Sequence, residues 1–446
     1  MSRRRKIIRW FVEARLTLSL GFPIMAGMVG HMLLGLTDTM MVGRVGVLPL
    51  AGAALVNTVT HVPMIFGIGL LSAVQVLTSQ AFGARKPAET AETVRHGFLV
   101  ALAAGIFTGV LMTLAGPYLQ FLGQPGDVVQ VCQNYLLYFS WSIVPLLIAH
   151  AGKQFCESLN DPWPPMFILL GSVLLNIFLN WVFIFGHLGA PAMGLDGAGL
   201  ATLIARVVMM IGTIGYLVTS QREKQWRPKA WFLKLSIQRF RDQLRLGAPV
   251  ALQHLIEVGA FSVGGLMMGW IGAEAMAAHQ VALTCASTTF MLALGIGMGV
   301  SIRVGHAWGA NLKSRLPRIV TGGLAMGLSA MALFAVAFMF GGRTIASWFL
   351  QDEAVILLAA KLLVIAAFFQ LADGTQVIVI SALRGMSDVR VPVVVVAIAY
   401  WAISVPLAYF LAFTMEMGAV GNWIGLASGL GAAAIGLSAR FYYRVR

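Results

Sequence analysis

Gln80-Ala81-Phe82-Gly83-Ala84 returns later in the chain as His306-Ala307-Trp308-Gly309-Ala310, an offset of 226 residues. The same offset carries Gly21-Phe22-Pro23 onto Gly247-Ala248-Pro249. It also carries Met41-Val42-Gly43-Arg44-Val45-Gly46 onto Met267-Met268-Gly269-Trp270-Ile271-Gly272. One offset that survives three separate blocks marks a duplication. Both copies are strongly apolar, so the sequence describes a duplicated membrane bundle. Transporters that bind at the interface between repeats are built this way.

Of the 446 residues 59% are hydrophobic and only 11% charged, and the mean hydropathy is +0.83. Those values exclude an ordinary soluble domain. Twelve apolar stretches of about 20 residues recur along the chain, six in each copy, from 16–38 to 419–439. Each is long enough to cross a bilayer as a helix, and the alternating pattern of spanning strands is missing. The expected fold is therefore an all-α integral membrane protein with twelve transmembrane helices in two pseudo-symmetric six-helix lobes. An even number of spans per copy returns the chain to its starting side, so the copies share one orientation. The lobes are expected at 1–220 and 246–446. Between them, 221–245 reads as a cytoplasmic amphipathic connector carrying Trp226, Trp231, Phe232 and a run of bases that includes Lys234.

The net charge of +14 is unevenly placed. Of the 31 Lys and Arg, 27 sit at the two ends or in connections after even-numbered spans, whereas the opposite loops hold Arg44 and Arg343. This is the positive-inside pattern, and it places both termini in the cytoplasm of a multi-pass protein of the plasma (bacterial inner) membrane. No soluble module exists to present the charge to nucleic acid. The basic start leads into a full-length span containing Pro23, which is not the pattern of a cleavable signal. Cys132, Cys156 and Cys285 are scattered and suggest neither a disulfide framework nor a metal set. Gly295-Ile296-Gly297-Met298-Gly299 lies mid-span with no Lys-Ser/Thr after it, so helix packing is the better reading than phosphate binding.

Three of the 17 acidic residues fall inside spans: Asp38, Glu257 and Asp373. A carboxylate there costs about 2.5–3.5 kcal/mol on insertion scales, so its retention points to function. By helical rise, Glu257 lies roughly 18 Å past Arg245 and Asp373 roughly 16 Å before Arg384. Two acids at similar depth could hold a monovalent cation such as sodium, or share a proton. Asp38 falls in the outer half of the first span. The competing reading is a structural ion pair with Arg206, Arg303 or Lys361, although Lys361 is roughly 18 Å from Asp373 along its own helix. His31, seven residues before Asp38, and His254, three before Glu257, share faces with those acids. They could relay a proton or simply hydrogen-bond across the bundle. Asn176 and Asn180 share a face of the fifth span and could donate to Asp38, or else join helices. Met64, Phe290, Met291 and Phe369 are soft or aromatic residues that suit a cavity for flat organic cations, though most such side chains are core.

These residues resemble the multidrug and toxic compound extrusion (MATE) family. Its first-span pattern is similar to Pro23 followed by Asp38-Thr39-Met40-Met41-Val42-Gly43-Arg44. Ser79-Gln80-Ala81-Phe82-Gly83-Ala84 resembles its recurring S-Q-A-x-G-A element, and Ala382-Leu383-Arg384-Gly385 with Pro392 its element after the tenth span. The resemblance covers essentially the whole chain and implies a V-shaped pair of lobes that opens alternately to either side. Glu257 and Asp373 look like the acids that couple cation entry to drug exit in the NorM branch. Asp38 matches an acid used in coupling across several branches. Asn180 stands where the proton-coupled DinF-like branch has Asp, and Phe369 where the NorM sodium site often has Tyr. That departure sets protons beside sodium as the coupling ion.

The expected activity is secondary active efflux of amphipathic, usually cationic, organic compounds in exchange for sodium or protons, by a monomer without a cofactor. A lipid-intermediate flippase or a metabolite exporter of the same superfamily is the alternative, but a cavity for diphosphate head groups should be basic. Enzyme motifs such as H-E-x-x-H, G-x-S-x-G and Walker A are missing from the sequence, so no enzymatic activity is expected.

Overall fold

The computed structural model describes residues 3–229, 231 and 235–446, with 3–11 and 122 described by their backbone alone. Phe232 and Lys234 of the connector lie outside the described residues. Among the described residues every regular element is helical. In chain order the first copy contains α1 (Arg3–Gly43), α2 (Val47–Gly83), α3 (Pro87–Ala115), α4 (Gly126–Val131), α5 (Gln133–Ser158), α6 (Trp163–Phe185) and α7 (Leu195–Thr219). The second contains α8 (Ile237–Ile271), α9 (Ala273–Gly309), α10 (Leu316–Ser347), α11 (Glu353–Gly385), α12 (Arg390–Ala397), α13 (Val405–Tyr409) and α14 (Gly418–Val445). Among the described residues twelve spans are long and apolar enough to cross a membrane, as the hydropathy pattern anticipates. Large side chains such as Phe107, Leu174, Phe340 and Ile435 stand exposed along them, which suits a hydrocarbon surround.

The eleventh span, Arg390–Thr414, is not a uniform α-helix. Wider π-helical turns at Ile398–Ser404 and Phe410–Thr414 interrupt it on either side of α13. Such turns re-aim side chains within a continuous helix and gather at functional sites.

The duplication is visible in the backbone. Gly46 (φ 153) and Gly272 (φ 149) precede the second helix of each copy, and Arg85 (φ 56) and Asn311 (φ 57) follow it in left-handed turns. Both pairs keep the offset of the sequence repeat.

Packing does not follow the boundaries at 220 and 246. One compact unit, here the carboxyl unit, takes the chain up to Met25 together with Leu252–Arg446, and the amino unit is Ala26–Ala251. The divisions fall just after Pro23 in α1 and just after Pro249 in α8. A proline inside a helix lacks the N–H that would bond the carbonyl four residues back, which loosens each helix there.

In the carboxyl unit the first part of α1 packs on α9 through glycine. A Cβ on Gly295 would collide with Met25 Cγ. In the amino unit the first part of α8 packs on α2 in the same way, with a Cβ on Gly69 falling 2.6 Å from Ala251 Cα. Gly69 and Gly295 are equivalent positions of the repeat. Buried apolar side chains fill each unit separately: Ile296, Val300, Ile378 and Leu430 in the carboxyl unit, and Val74, Leu147, Phe155 and Leu217 in the amino unit.

The last nine residues of the segment 221–245 belong to α8, which begins at Ile237. The segment's two tryptophans pack on protein: Trp226 lies 4.7 Å from Phe82 and Trp231 5.5 Å from Phe98, between ring centroids. The Ser236 amide donates to His96 Nε2 at 3.0 Å, and Gln243 Nε2 donates to the Thr93 carbonyl at 2.6 Å.

Candidate functional site

In the carboxyl unit Glu257 of α8 is the hub of a polar network. Gln253, one turn earlier, donates its Nε2 to Glu257 Oε1 at 3.0 Å, and Gln376 of α11 donates to the same oxygen at 3.0 Å. Each amide is oriented from behind. Arg384 Nη2 donates to Gln253 Oε1 at 3.2 Å, and the Tyr400 hydroxyl donates to Gln376 Oε1 at 3.1 Å. With both amide oxygens occupied, both NH2 groups face the carboxylate. Oε1 is thereby doubly donated, while Oε2 is left to His254 Nδ1 at 3.7 Å. That arrangement favours a carboxylate with one oxygen free for a proton or a cation.

Asp373 lies one turn of α11 before Gln376, and its charge acts on Glu257. No hydrogen bond to its carboxylate is found among the described residues. Phe369 is buried at 4% exposure, 6.0 Å from Phe261 and 5.7 Å from Trp423. Phe261 is also 6.0 Å from Tyr400. Tyr400 thus supplies a phenolic hydroxyl to the network at which Phe369 has none. Sequence reading missed Gln253, Gln376 and Tyr400. Gln253 and Gln376 could have been found as buried amides one turn from the two acids, whereas Tyr400 reaches the site through the π-helical turn of the eleventh span, which leaves no sequence signal.

In the amino unit Asn180 of α6 donates its Nδ2 to Asp38 Oδ1 at 2.5 Å. The same Nδ2 reaches Asn176 Oδ1 at 3.0 Å, and Asn176 Nδ2 reaches Thr202 Oγ1 of α7 at 3.3 Å. The fifth-span pair and Asp38 therefore meet as the spacing suggested, and Thr202 extends the chain. His31 is exposed on α1, and no hydrogen bond joins it to Asp38 among the described residues. Met64 packs against the apolar core of the amino unit, and Phe290 against that of the carboxyl unit. Met291 is half-buried.

Of the spanning bases, Arg303 is engaged elsewhere. It bonds Glu13 through the carboxylate and the backbone carbonyl, and Thr17 Oγ1 at 2.9 Å, while Arg315 holds the other Glu13 oxygen at 2.7 Å. Glu13, beside the basic start of the chain, is buried at 6% exposure. No group of three or more His, Cys, Asp or Glu arranged to hold a metal ion is present among the described residues.

Twelve spans, a twofold repeat and one acid network in each copy define a polytopic helical membrane protein of the transporter kind. The MatE family model matches residues 23–182 and again 249–410, two segments whose starts keep the register of the repeat. The chain belongs to that family. It is 34% identical over 444 residues to a probable multidrug resistance protein NorM of Mesorhizobium japonicum, covering 98% of this chain and 95% of the relative. It is 36% identical over 423 residues to the probable NorM of Bradyrhizobium diazoefficiens, covering 94% and 90%. Among solved structures it resembles the Vibrio cholerae MATE transporter VcmN in the bent form, with a TM-score of 0.88 at 20% identity over 98% of each chain. It also resembles the eukaryotic MATE transporter AtDTX14, with a TM-score of 0.85 at 20% identity over 98% of this chain and 100% of the other.

Proposed function

We propose that this protein is a secondary active multidrug efflux antiporter, exporting amphipathic and cationic organic compounds in exchange for sodium or protons. The observation that carries the reading is Glu257, whose Oε1 is saturated by Gln253 and Gln376 and whose Oε2 has only His254 nearby, at 3.7 Å. In a chain of this family, with relatives named multidrug resistance proteins, such a site is where the exchanged ion would bind. Two carboxylates against one guanidinium, Arg384, leave the polar site around Glu257 one negative charge in excess, so a monovalent cation neutralises it. One such charge moving down the membrane potential yields about 2.3 kcal/mol per 100 mV, enough to concentrate an uncharged substrate tens of times over. Export of a monovalent organic cation is driven instead by the concentration gradient of the entering ion. The protein works as a monomer in the plasma membrane, with both ends cytoplasmic and no cofactor.

The test is transport of a fluorescent organic cation in proteoliposomes, with sodium and proton gradients imposed separately. Glu257→Gln and Asp373→Asn should each abolish ion-driven efflux while the protein inserts and melts as wild type does. Undiminished ion-driven efflux in both variants would overturn the assignment. Reduced insertion with normal specific activity would make the acids structural.

A further inference from the structure

We infer that Arg206 is the resident counter-ion of Asp38, so that the interior of the amino unit is charge-neutral and the exchanged cation is taken by Glu257 and Asp373 alone. The inference rests on the coupling role proposed above for those two acids. Arg206 stands near the middle of α7, well away from both Leu195 and Thr219 at its ends. It is 8% exposed. Its Nη1 donates to Ser142 Oγ of α5 at 2.6 Å, and the guanidinium carbon lies 4.7 Å from the centre of the Phe139 ring. Among the described residues it makes no direct ion pair. A guanidinium in that position carries a full positive charge on neutral partners, and a buried charge needs balance.

Asp38 provides the balance. The two charges act on each other, and a chain of neutral groups ties their helices together. Asp38 accepts from Asn180, Asn180 bonds Asn176, and Asn176 bonds Thr202, one turn before Arg206 on the same helix. Around Asp38 stand Asn180 of α6, Arg206 of α7 and Tyr135 of α5, and among the described residues Arg206 is the cation that acts on it. Its effect on transport passes through Asp38, whose charge it balances.

The repeat sharpens the contrast. Glu257 in the second copy corresponds, in repeat register, to His31 in the first, and Asp38 corresponds to Gly264. Arg206 corresponds to Leu430, counted from Gly194 and Gly418, which precede the last span of each copy with the same φ of 57. One scaffold has therefore been given a different charge balance in its two copies: two acids with Arg384 and His254 in the carboxyl unit, one acid with Arg206 in the amino unit. A net negative site can admit a cation and release it, whereas a site that already holds a guanidinium cannot accept another cation without leaving that charge unpaired.

The experiment compares Arg206→Gln, Arg206→Lys, Asp38→Asn and the double variant Asp38→Asn/Arg206→Gln with wild type in proteoliposomes. It reads efflux rate and, from the imposed ion gradient at which net organic-cation flux vanishes at zero voltage, cations moved per organic cation. Asp38→Asn alone leaves the guanidinium unpaired, and efflux should fall by about tenfold or more. The double variant should recover to within about threefold of wild type with an unchanged ion ratio. Arg206→Gln should raise the ion ratio, because the freed Asp38 carboxylate now takes up a cation, and Arg206→Lys should keep the wild-type ratio. A double variant no better than Asp38→Asn, or an Arg206→Gln protein with the wild-type ratio, would overturn the inference. Should Arg206→Gln fail to insert, the double variant, lacking both charges, decides alone. Failure of the coupling reading looks different: Glu257→Gln would then keep ion-driven exchange whatever stands at 206.

Discussion

At the scale of single residues, the site turns on which atom of which amide faces Glu257. Side-chain amides have two unlike ends, and here Arg384 and Tyr400 decide between them by donating to the oxygens of Gln253 and Gln376. Tyr400→Phe removes one such donor while leaving the ring packed beside Phe261. Loss of a single hydrogen bond of about 0.5–1.5 kcal/mol should weaken the apparent affinity for the coupling cation by about two- to tenfold, with drug affinity measured without a gradient unchanged. An unchanged cation dependence would show that Gln376 holds its orientation without the phenol. The acids themselves were legible in the sequence, because a carboxylate inside a span is rare and expensive. The amides were not, because polar, uncharged side chains are common in spans as helix-joining groups.

At the scale of elements, the first helix of each copy is held by an ion pair whose sign differs between the copies. Glu13 of α1 meets Arg303 and Arg315 in the carboxyl unit. Arg239 of α8, the counterpart of Glu13 in the repeat, meets Glu92 of α3 at 3.1 Å in the amino unit. Their environments differ. The side chains of Glu13 and Arg303 are each 8% exposed, whereas those of Arg239 and Glu92 are 38% and 42% exposed. Glu13→Ala should therefore destabilise by about 3–5 kcal/mol, by stranding a buried guanidinium, and Arg239→Ala by about 0–1 kcal/mol. Thermal melting of the detergent-solubilised variants checks both, and similar melting shifts would contradict the ranking.

The connector carries a buried acid of its own, Glu223. Burial pushes Glu223 up to about 8 from its ordinary 4.5, Asp161 adding to the shift and Arg222 opposing it. An acid raised in this way stabilises the fold fully below about pH 4.5, and that contribution is lost as pH rises through about 8. Glu223→Gln should accordingly gain melting temperature over wild type as pH is raised across that window, with the two converging at its acid end. A constant difference at all pH values would show that Glu223 is already ionised in the folded protein.

At the scale of the whole molecule, the basic residues divide 27 to two between the sides of the membrane. A reporter fused after Arg446 that works only in the cytoplasm should therefore be active, and activity only from an external reporter would invert the topology. Twelve spans, the duplication and the family followed from the chain alone. Transfer of about 20 apolar residues into lipid is a local property, and a repeat at fixed offset needs no fold to be seen. The two prolines that mark the unit boundaries were equally legible, but not what they separate. Only the tertiary structure decided that the first part of α1 packs with the carboxyl unit and the first part of α8 with the amino unit, because glycine faces on α9 and α2 accept those backbones. It alone brought Glu13 to Arg303, 290 residues away, and Gln376 to Glu257, 119 residues away. Hydropathy fixes how deep each of these residues sits, but depth says nothing of rotation about the helix axis. Which polar side chains meet depends on that rotation, and close packing between helices distant in sequence sets it.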